Sequence, residues 1–324
     1  MSKAVRIHAT GGAEAMRLEE VAVGDPGPGQ VRLRQTAIGL NFIDVYYRTG
    51  VYSLPTMPAV LGVEGAGVVE AVGDGVTDFK IGDRGAYAGP LGAYAEQRLI
   101  PADRLVKLPD GIGDQQAAAM MMQGLTAHYL LRRTYAVKKG DTILVQAAAG
   151  GVGLILCQWA KHLGATVIGT VGSEDKAELA QAHGCDHPIV YTREDFVRRV
   201  KEITRSEGVP VVYDSVGKDT FERSLDCIRP LGLMALFGQS SGKVPPFDLT
   251  ILAGKGSLFI TRPTLGTYVA KRADLLANAQ ELFDVVQSGA VKIEVRQTYK
   301  LSQVPQAHRD LEARKTVGST VILP

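Results

Sequence analysis

Apolar and polar positions alternate in short runs over the first 110 residues. Residues 4–10, 30–40, 62–73, 83–88 and 94–101 each read as a strand, set apart by turn clusters at 25–29 (Asp-Pro-Gly-Pro-Gly) and 73–75 (Gly-Asp-Gly). Strands this close together, with no helix between them, predict an irregular, barrel-like β unit. From residue 110 the period becomes helical, over 115–122 and again over 125–135. Beyond 142 the strand-like runs are β-branched and more widely spaced: 142–147, 166–171, 188–191, 209–215, 232–237 and 257–261. Helical stretches at 152–163, 174–183, 193–207 and 221–228 fill the gaps. Six strands alternating with helices predict a doubly wound parallel sheet, so the class is α/β. A long helix over 268–288 leads to a second β-like tail, which predicts a return to the first unit. The expected domains are 1–124 with 265–324, and 125–264.

The sharpest motif lies where the first strand of the second unit meets its helix. Ala148, Gly150 and Gly153 keep the spacing of the dinucleotide fingerprint, with alanine at its first position. Glycine lets the backbone approach a pyrophosphate, and the free N–H groups and dipole at the helix start stabilise negative charge. The next strand ends Thr170-Val171-Gly172-Ser173, with no carboxylate at its tip for ribose hydroxyls. Glu174 and Asp175 fall in the following helical turn. A small tip leaves room for a 2′-phosphate, to which Ser173 and Lys176 can donate, so NADPH is expected rather than NADH. Taken alone, Lys176 also reads as an ordinary surface lysine. Gly254-Lys255-Gly256 lacks the remaining residues of a P-loop.

Composition narrows the classes. The 324 residues are 45% hydrophobic and 22% charged, ample for two cores, and the net charge of +2 points to neither nucleic acid nor an anionic membrane. Three separated cysteines form no disulfide framework, which fits a reducing, cytoplasmic setting. No signal-type or membrane-spanning run is expected. Met120 to Met122 reads as core.

With these residues in view the chain resembles the zinc-independent quinone oxidoreductases, the zeta-crystallin-like branch of the medium-chain dehydrogenase/reductase superfamily. The markers are Asn41-Phe42-Ile43-Asp44-Val45-Tyr46 with Arg48 and Gly50, residues 58–73, 92–96 and 123–131, the Ala147–Gly153 turn, Phe237-Gly238 and 261–263. The resemblance implies a GroES-like β domain with a Rossmann domain, and a substrate cleft against the latter. Zinc is argued against separately. Valine and asparagine stand at Val63 and Asn41, where the superfamily's zinc members carry histidine and cysteine. The six histidines are scattered.

For the substrate the resemblance implies Asn41, Tyr46, Tyr52, Gln123 and Thr126. The two amides would donate to a carbonyl oxygen, and the tyrosines would offer a flat ring an apolar face. Asn41 also reads as an Asx-turn residue, and the tyrosines as packing. For NADPH it implies Ala149, Gly150, Gly151 and Val152 at the pyrophosphate. Gly172, Ser173, Lys176 and Tyr191 would lie near the adenine-ribose phosphate, with Ser215, Phe237, Gly238 and Ser240 along the strand ends. Arg314 would reach the 2′-phosphate, or serve as a surface charge. Without a metal, hydride transfer to an already electrophilic quinone is the expected reaction. The alternatives are reduction of a 2-alkenal or enone, and an NADPH-stabilised binding or structural protein. A homodimer is implied, pairing along the edge strand from Ser257 to Thr261.

Overall fold

In the computed structural model, which describes residues 1–324, the alternation of the early chain becomes the eleven-residue strand Gln30–Leu40. Its inward positions Val31, Leu33 and Ile38 are fully buried and meet Val69, Ile100, Leu105 and Ile322. Each such side chain contributes roughly 1.5–3 kcal/mol by leaving water. The strand lies inside a seven-stranded sheet ordered Val295–Lys300, Ser319–Leu323, Gln30–Leu40, Glu64–Val72, Arg84–Ala88 and Val106–Lys107, with Gln97–Pro101 pairing Gln30–Leu40 as well. Ser319–Leu323 thus sits between two neighbours, parallel to Val295–Lys300 and antiparallel to Gln30–Leu40. A three-stranded sheet of Met16–Val21, Ser2–Ile7 and Ala59–Val60 completes the β structure of this unit. It comprises Met1–Leu125, Val269–Gln287 and Ile293–Pro324, and it is the GroES-like domain.

The second unit, Thr126–Tyr268 with Ser288–Lys292, is the Rossmann domain. Its six strands are ordered His187–Val190, Thr166–Val171, Thr142–Val145, Val209–Asp214, Ile228–Leu236 and Phe259–Thr261, every pair parallel. The central strands are buried on both faces, and so they read as continuous apolar runs. The order reverses beside Thr142–Val145, the switch point at whose carboxyl end such sheets bind ligands.

The structure differs from the sequence reading at several helices. That expected over 115–122 is Asp114–Ala118, that over 193–207 is Phe196–Ile203, and that over 221–228 is Phe221–Leu225, with Ile228 already in a strand. The helix expected over 125–135 is Met121–Tyr129, followed by a π-helical turn, Leu130–Thr134. Tyr213 donates its hydroxyl to the Leu130 carbonyl at 3.2 Å, drawing that acceptor out of the α ladder. The helix expected over 268–288 divides into Leu265–Tyr268 and Arg272–Gln287. Arg133 donates to the Tyr268 carbonyl at 3.1 Å, and the Tyr268 ring stacks on Tyr129 with centroids 4.4 Å apart. A terminal carbonyl satisfied by a side chain ends the helix there. Met120 and Met121 are fully buried, as core methionines.

Candidate functional site

Gly150 is the N-cap of Gly151–His162, and no side chain caps it. The first N–H groups of this helix, at Gly151 and Val152, therefore face outward without an internal acceptor, as an anion-binding start requires. The turn before it is tight. Ala147 adopts φ +55°, the left-handed region that glycine usually fills. A Cβ on Gly153 would overlap the Ala147 and Ala148 carbonyl oxygens. Glycine there lets helix and turn close on one another.

The other residues proposed for NADPH in this unit follow the carboxyl ends of neighbouring strands. Gly172 and Ser173 continue Thr166–Val171, and Ser173 stands at the N-cap position of Glu174–Ala182 without a side-chain capping bond, with Lys176 in the first turn. Tyr191 follows His187–Val190, with its hydroxyl beside Gly172. Ser215, Phe237, Gly238 and Ser240 are joined by backbone bonds, Phe237 N–H to the Asp214 carbonyl at 2.9 Å and Ser240 N–H to the Ser215 carbonyl at 3.1 Å. Glu174, the nearest carboxylate after the strand tip, is ion-paired with Arg193. Arg314 belongs to the other unit, just beyond the helix Val304–Glu312.

Beneath this edge runs a buried polar chain that the sequence reading missed. Thr170 donates to Gln146 Oε1 at 2.5 Å, Gln146 Nε2 donates to Ser224 at 2.9 Å, and Ser224 donates to Asp214 Oδ2 at 3.1 Å. Asp214 also accepts from Thr220 and from the Val216 and Gly217 N–H groups at 2.7–3.0 Å. Burial pushes the Asp214 carboxyl above its usual range, and these donors oppose the rise. The chain ties together the ends of three adjacent strands. Its one legible signal was a carboxylate closing the apolar run Val209–Asp214.

In the GroES-like unit Asn41 precedes the helix Phe42–Arg48, and Asp44 Oδ2 accepts the Asn41 N–H at 2.9 Å. Asn41 Nδ2 donates to Glu64 Oε2 at 2.5 Å, and Gln123 Nε2 lies 3.4 Å from Asn41 Oδ1. Ser319 donates to Gln123 Oε1 at 2.7 Å. Both amides proposed for the substrate carbonyl are therefore together. Tyr46 and Tyr52 meet edge-on with centroids 5.2 Å apart, within an aromatic group that includes Phe42 and Tyr47. Thr126 is buried one turn beyond Gln123 on Met121–Tyr129.

A second buried chain lies behind Asn41. Tyr94 donates to Asp44 Oδ2 at 2.8 Å, so His308 Nε2, 2.9 Å away, donates to the Tyr94 oxygen. Arg48 donates to His308 Nδ1 at 3.3 Å and pairs in bidentate fashion with Glu312 at 2.8 and 2.9 Å. These bonds require neutral His308, whose pKa falls to about 3 through burial and then the Arg48 charge. Burial raises Asp44 to about 7 and Glu64 to about 8, against the hydrogen bonds each accepts.

The model for an alcohol dehydrogenase GroES-like domain matches residues 27–110, and that for a zinc-binding dehydrogenase matches 151–280. No group of three or more His, Cys, Asp or Glu side chains is placed to hold a metal ion, so the donor set does not fit zinc. Over the whole length of both chains, the sequence is 54% identical to a quinone oxidoreductase of Pseudomonas aeruginosa. It is 49% identical to a 2-haloacrylate reductase of a Burkholderia species, covering all of this chain and 99% of that one. The solved structure of Escherichia coli quinone oxidoreductase complexed with NADPH matches with a TM-score of 0.98 at 48% identity, covering 99% and 100% of the two chains.

Proposed function

The chain belongs to the quinone oxidoreductases of the medium-chain dehydrogenase/reductase superfamily, and from that membership we propose that it reduces quinones at the expense of NADPH. The observation that carries this reading is the full-length match to a quinone oxidoreductase holding NADPH. The residues present fit that cofactor. The uncapped helix start at Gly151 suits its pyrophosphate, and a strand tip of Gly172 and Ser173 near Lys176 suits a 2′-phosphate better than a bare ribose. Bound NADPH supplies a hydride. The chain's own part is to orient the acceptor and offset the charge that arrives on it. Asn41 and Gln123 each keep one amide N–H outside the Glu64–Ser319 chain, and these donate to a quinone carbonyl oxygen. Tyr46 and Tyr52 present ring surface to a flat acceptor.

A second reading has its own support in the relative named 2-haloacrylate reductase: an activated alkene takes hydride for the same electronic reason. NADPH oxidation, with NADH in parallel, is to be followed against 1,4-benzoquinone, 9,10-phenanthrenequinone and a 2-alkenal. Quinone turnover that prefers NADPH, with the preference falling about tenfold in Lys176→Ala, is the expected result. Turnover of the alkenal alone replaces the quinone reading with the alkene one.

No helix is long and apolar enough to cross a membrane. A second copy is proposed to pair along Phe259–Thr261, the strand at one side of the parallel sheet, where Phe259 is 59% exposed. Sedimentation at micromolar concentration is expected to give twice the chain mass. A single-chain mass overturns the pairing.

A further inference from the structure

We propose that Glu64 is a positioning residue for this reduction: it decides which edge of the Asn41 amide carries the donors and, through Asn41, sets Gln123. The proposal rests on the reading above, in which those two amides donate to the substrate carbonyl.

Glu64 is wholly buried on the strand Glu64–Val72 and is held from three sides. Its Oε1 accepts the Met122 N–H at 2.8 Å, at the start of Met121–Tyr129, and its Oε2 accepts Asn41 Nδ2. On the third side lies Gly39, where even a Cβ would overlap the carboxylate. Glu64 therefore has no room to turn away. An ionised carboxyl only accepts, so Nδ2 of Asn41 must face it. Asn41 Oδ1 is then turned toward Gln123 Nε2, and Gln123 Oε1 toward the Ser319 hydroxyl. Every donor in the chain points toward Glu64, and the polarity of four side chains follows from one charge.

A donor at position 64 reverses the chain without changing its shape. The amide introduced by Glu64→Gln keeps an oxygen for the Met122 N–H but turns an NH2 toward Asn41. Two donors then face each other, and the Asn41 amide rotates by half a turn. Gln123 follows, and Ser319 becomes an acceptor. The free N–H groups leave the edge where the wild type offers them. A protonated Glu64 donates from Oε2 and acts in the same sense, so the working orientation belongs to the ionised form. The groups facing Glu64 are the Asn41 amide, the Met121 and Met122 N–H groups, the Asp44 carboxyl, and the Tyr87 and Tyr94 phenols. All of these are shared by wild type and variant, so a ratio of their rates reports Glu64 together with its charge coupling to Asp44.

The test measures kcat/KM for 9,10-phenanthrenequinone with NADPH between pH 6.5 and 9, in wild type, Glu64→Gln, Asn41→Ala and the double variant. NADPH affinity and the urea midpoint of the NADPH-free proteins are measured in parallel. At pH 9 Glu64→Gln is expected to lose about tenfold or more, the scale of a misplaced charge-stabilising donor. NADPH affinity should stay within about twofold. The wild-type advantage should shrink as the pH falls through about 8, where burial has moved the Glu64 carboxyl. The advantage of wild type over Asn41→Ala should shrink in the same range, a measurement that does not depend on Glu64→Gln folding. In the double variant Glu64→Gln should add nothing to Asn41→Ala. Full additivity, or a pH-independent ratio, overturns the positioning role while leaving Asn41 as a donor. An Asn41→Ala variant with unchanged kcat/KM overturns the donor reading itself.

Discussion

Gly153→Ala is expected to weaken NADPH binding by about tenfold or more. The added methyl group falls within 2.7 Å of the Ala148 carbonyl oxygen and closer still to that of Ala147. Both carbonyls belong to the turn that feeds the helix Gly151–His162. The Ala147 carbonyl cannot withdraw, because it accepts the Gly150 N–H at 2.9 Å and the N–H across its own peptide, that of Ala148, is bonded to the Thr170 carbonyl at 3.0 Å. The helix start must move instead, carrying with it the N–H groups proposed to meet the pyrophosphate. Overpacking of this kind costs about 1–3 kcal/mol, and 1.4 kcal/mol is a factor of ten in affinity. Gly150→Ala makes a useful contrast, since its Cβ meets only the Ala147 oxygen, at 3.2 Å. Calorimetric titration with NADPH reads both variants. A Gly153→Ala protein that binds within twofold of wild type would show that the turn does not set the cofactor's seat.

The largest loss of stability is expected from Glu312→Ala. Arg48 is always charged and its side chain is only 2% exposed, whereas that of Glu312 is 37% exposed. Removing the more exposed partner strands the buried one. The guanidinium keeps the Gly11 carbonyl at 3.1 Å and neutral His308, but no counter-ion. Leaving a buried charge unpaired in this way costs up to about 3–5 kcal/mol, a large share of the stability of an ordinary domain. In the exposed pair of Arg199 with Glu202, Glu202→Ala should cost under about 1 kcal/mol. Urea unfolding monitored by circular dichroism separates the two. A loss below about 1 kcal/mol for Glu312→Ala would mean that water reaches Arg48.

The contrast between the two units explains what was legible in the sequence. In the Rossmann unit the strands announce themselves: Thr166–Val171 is a buried apolar run, and the glycine turn joins strand to helix with no gap. In the GroES-like unit the helix Phe42–Arg48 is aromatic and β-branched, poor helix formers that hide its period. Its only local marker was Asn41 with Asp44 three residues on, a capping pattern. The resemblance proposed Asn41 and Gln123, which the structure brings together, but Glu64 was not singled out, since its partners come from positions 41 and 122. The Arg48–Glu312 pair spans 264 residues. Long-range polar pairs leave no period in the chain. The strand Val209–Asp214 and the second half of Ile228–Leu236 were visible because burial needs only a neighbour of the same kind, while a buried carboxylate needs one particular partner.

The position of Ser319–Leu323 between Val295–Lys300 and Gln30–Leu40 sets the order in which the two units can be completed during synthesis. Gln30–Leu40 emerges early, yet the edge it offers Ser319–Leu323 stays open until residues 319–323 have been made. Well before then the parallel sheet of Thr126–Tyr268 has all its strands and can close on its own. Domains usually complete from the N-terminus onward during synthesis. Here the middle of the chain can be native first, while an early strand edge waits, exposed to mispairing, for its partner.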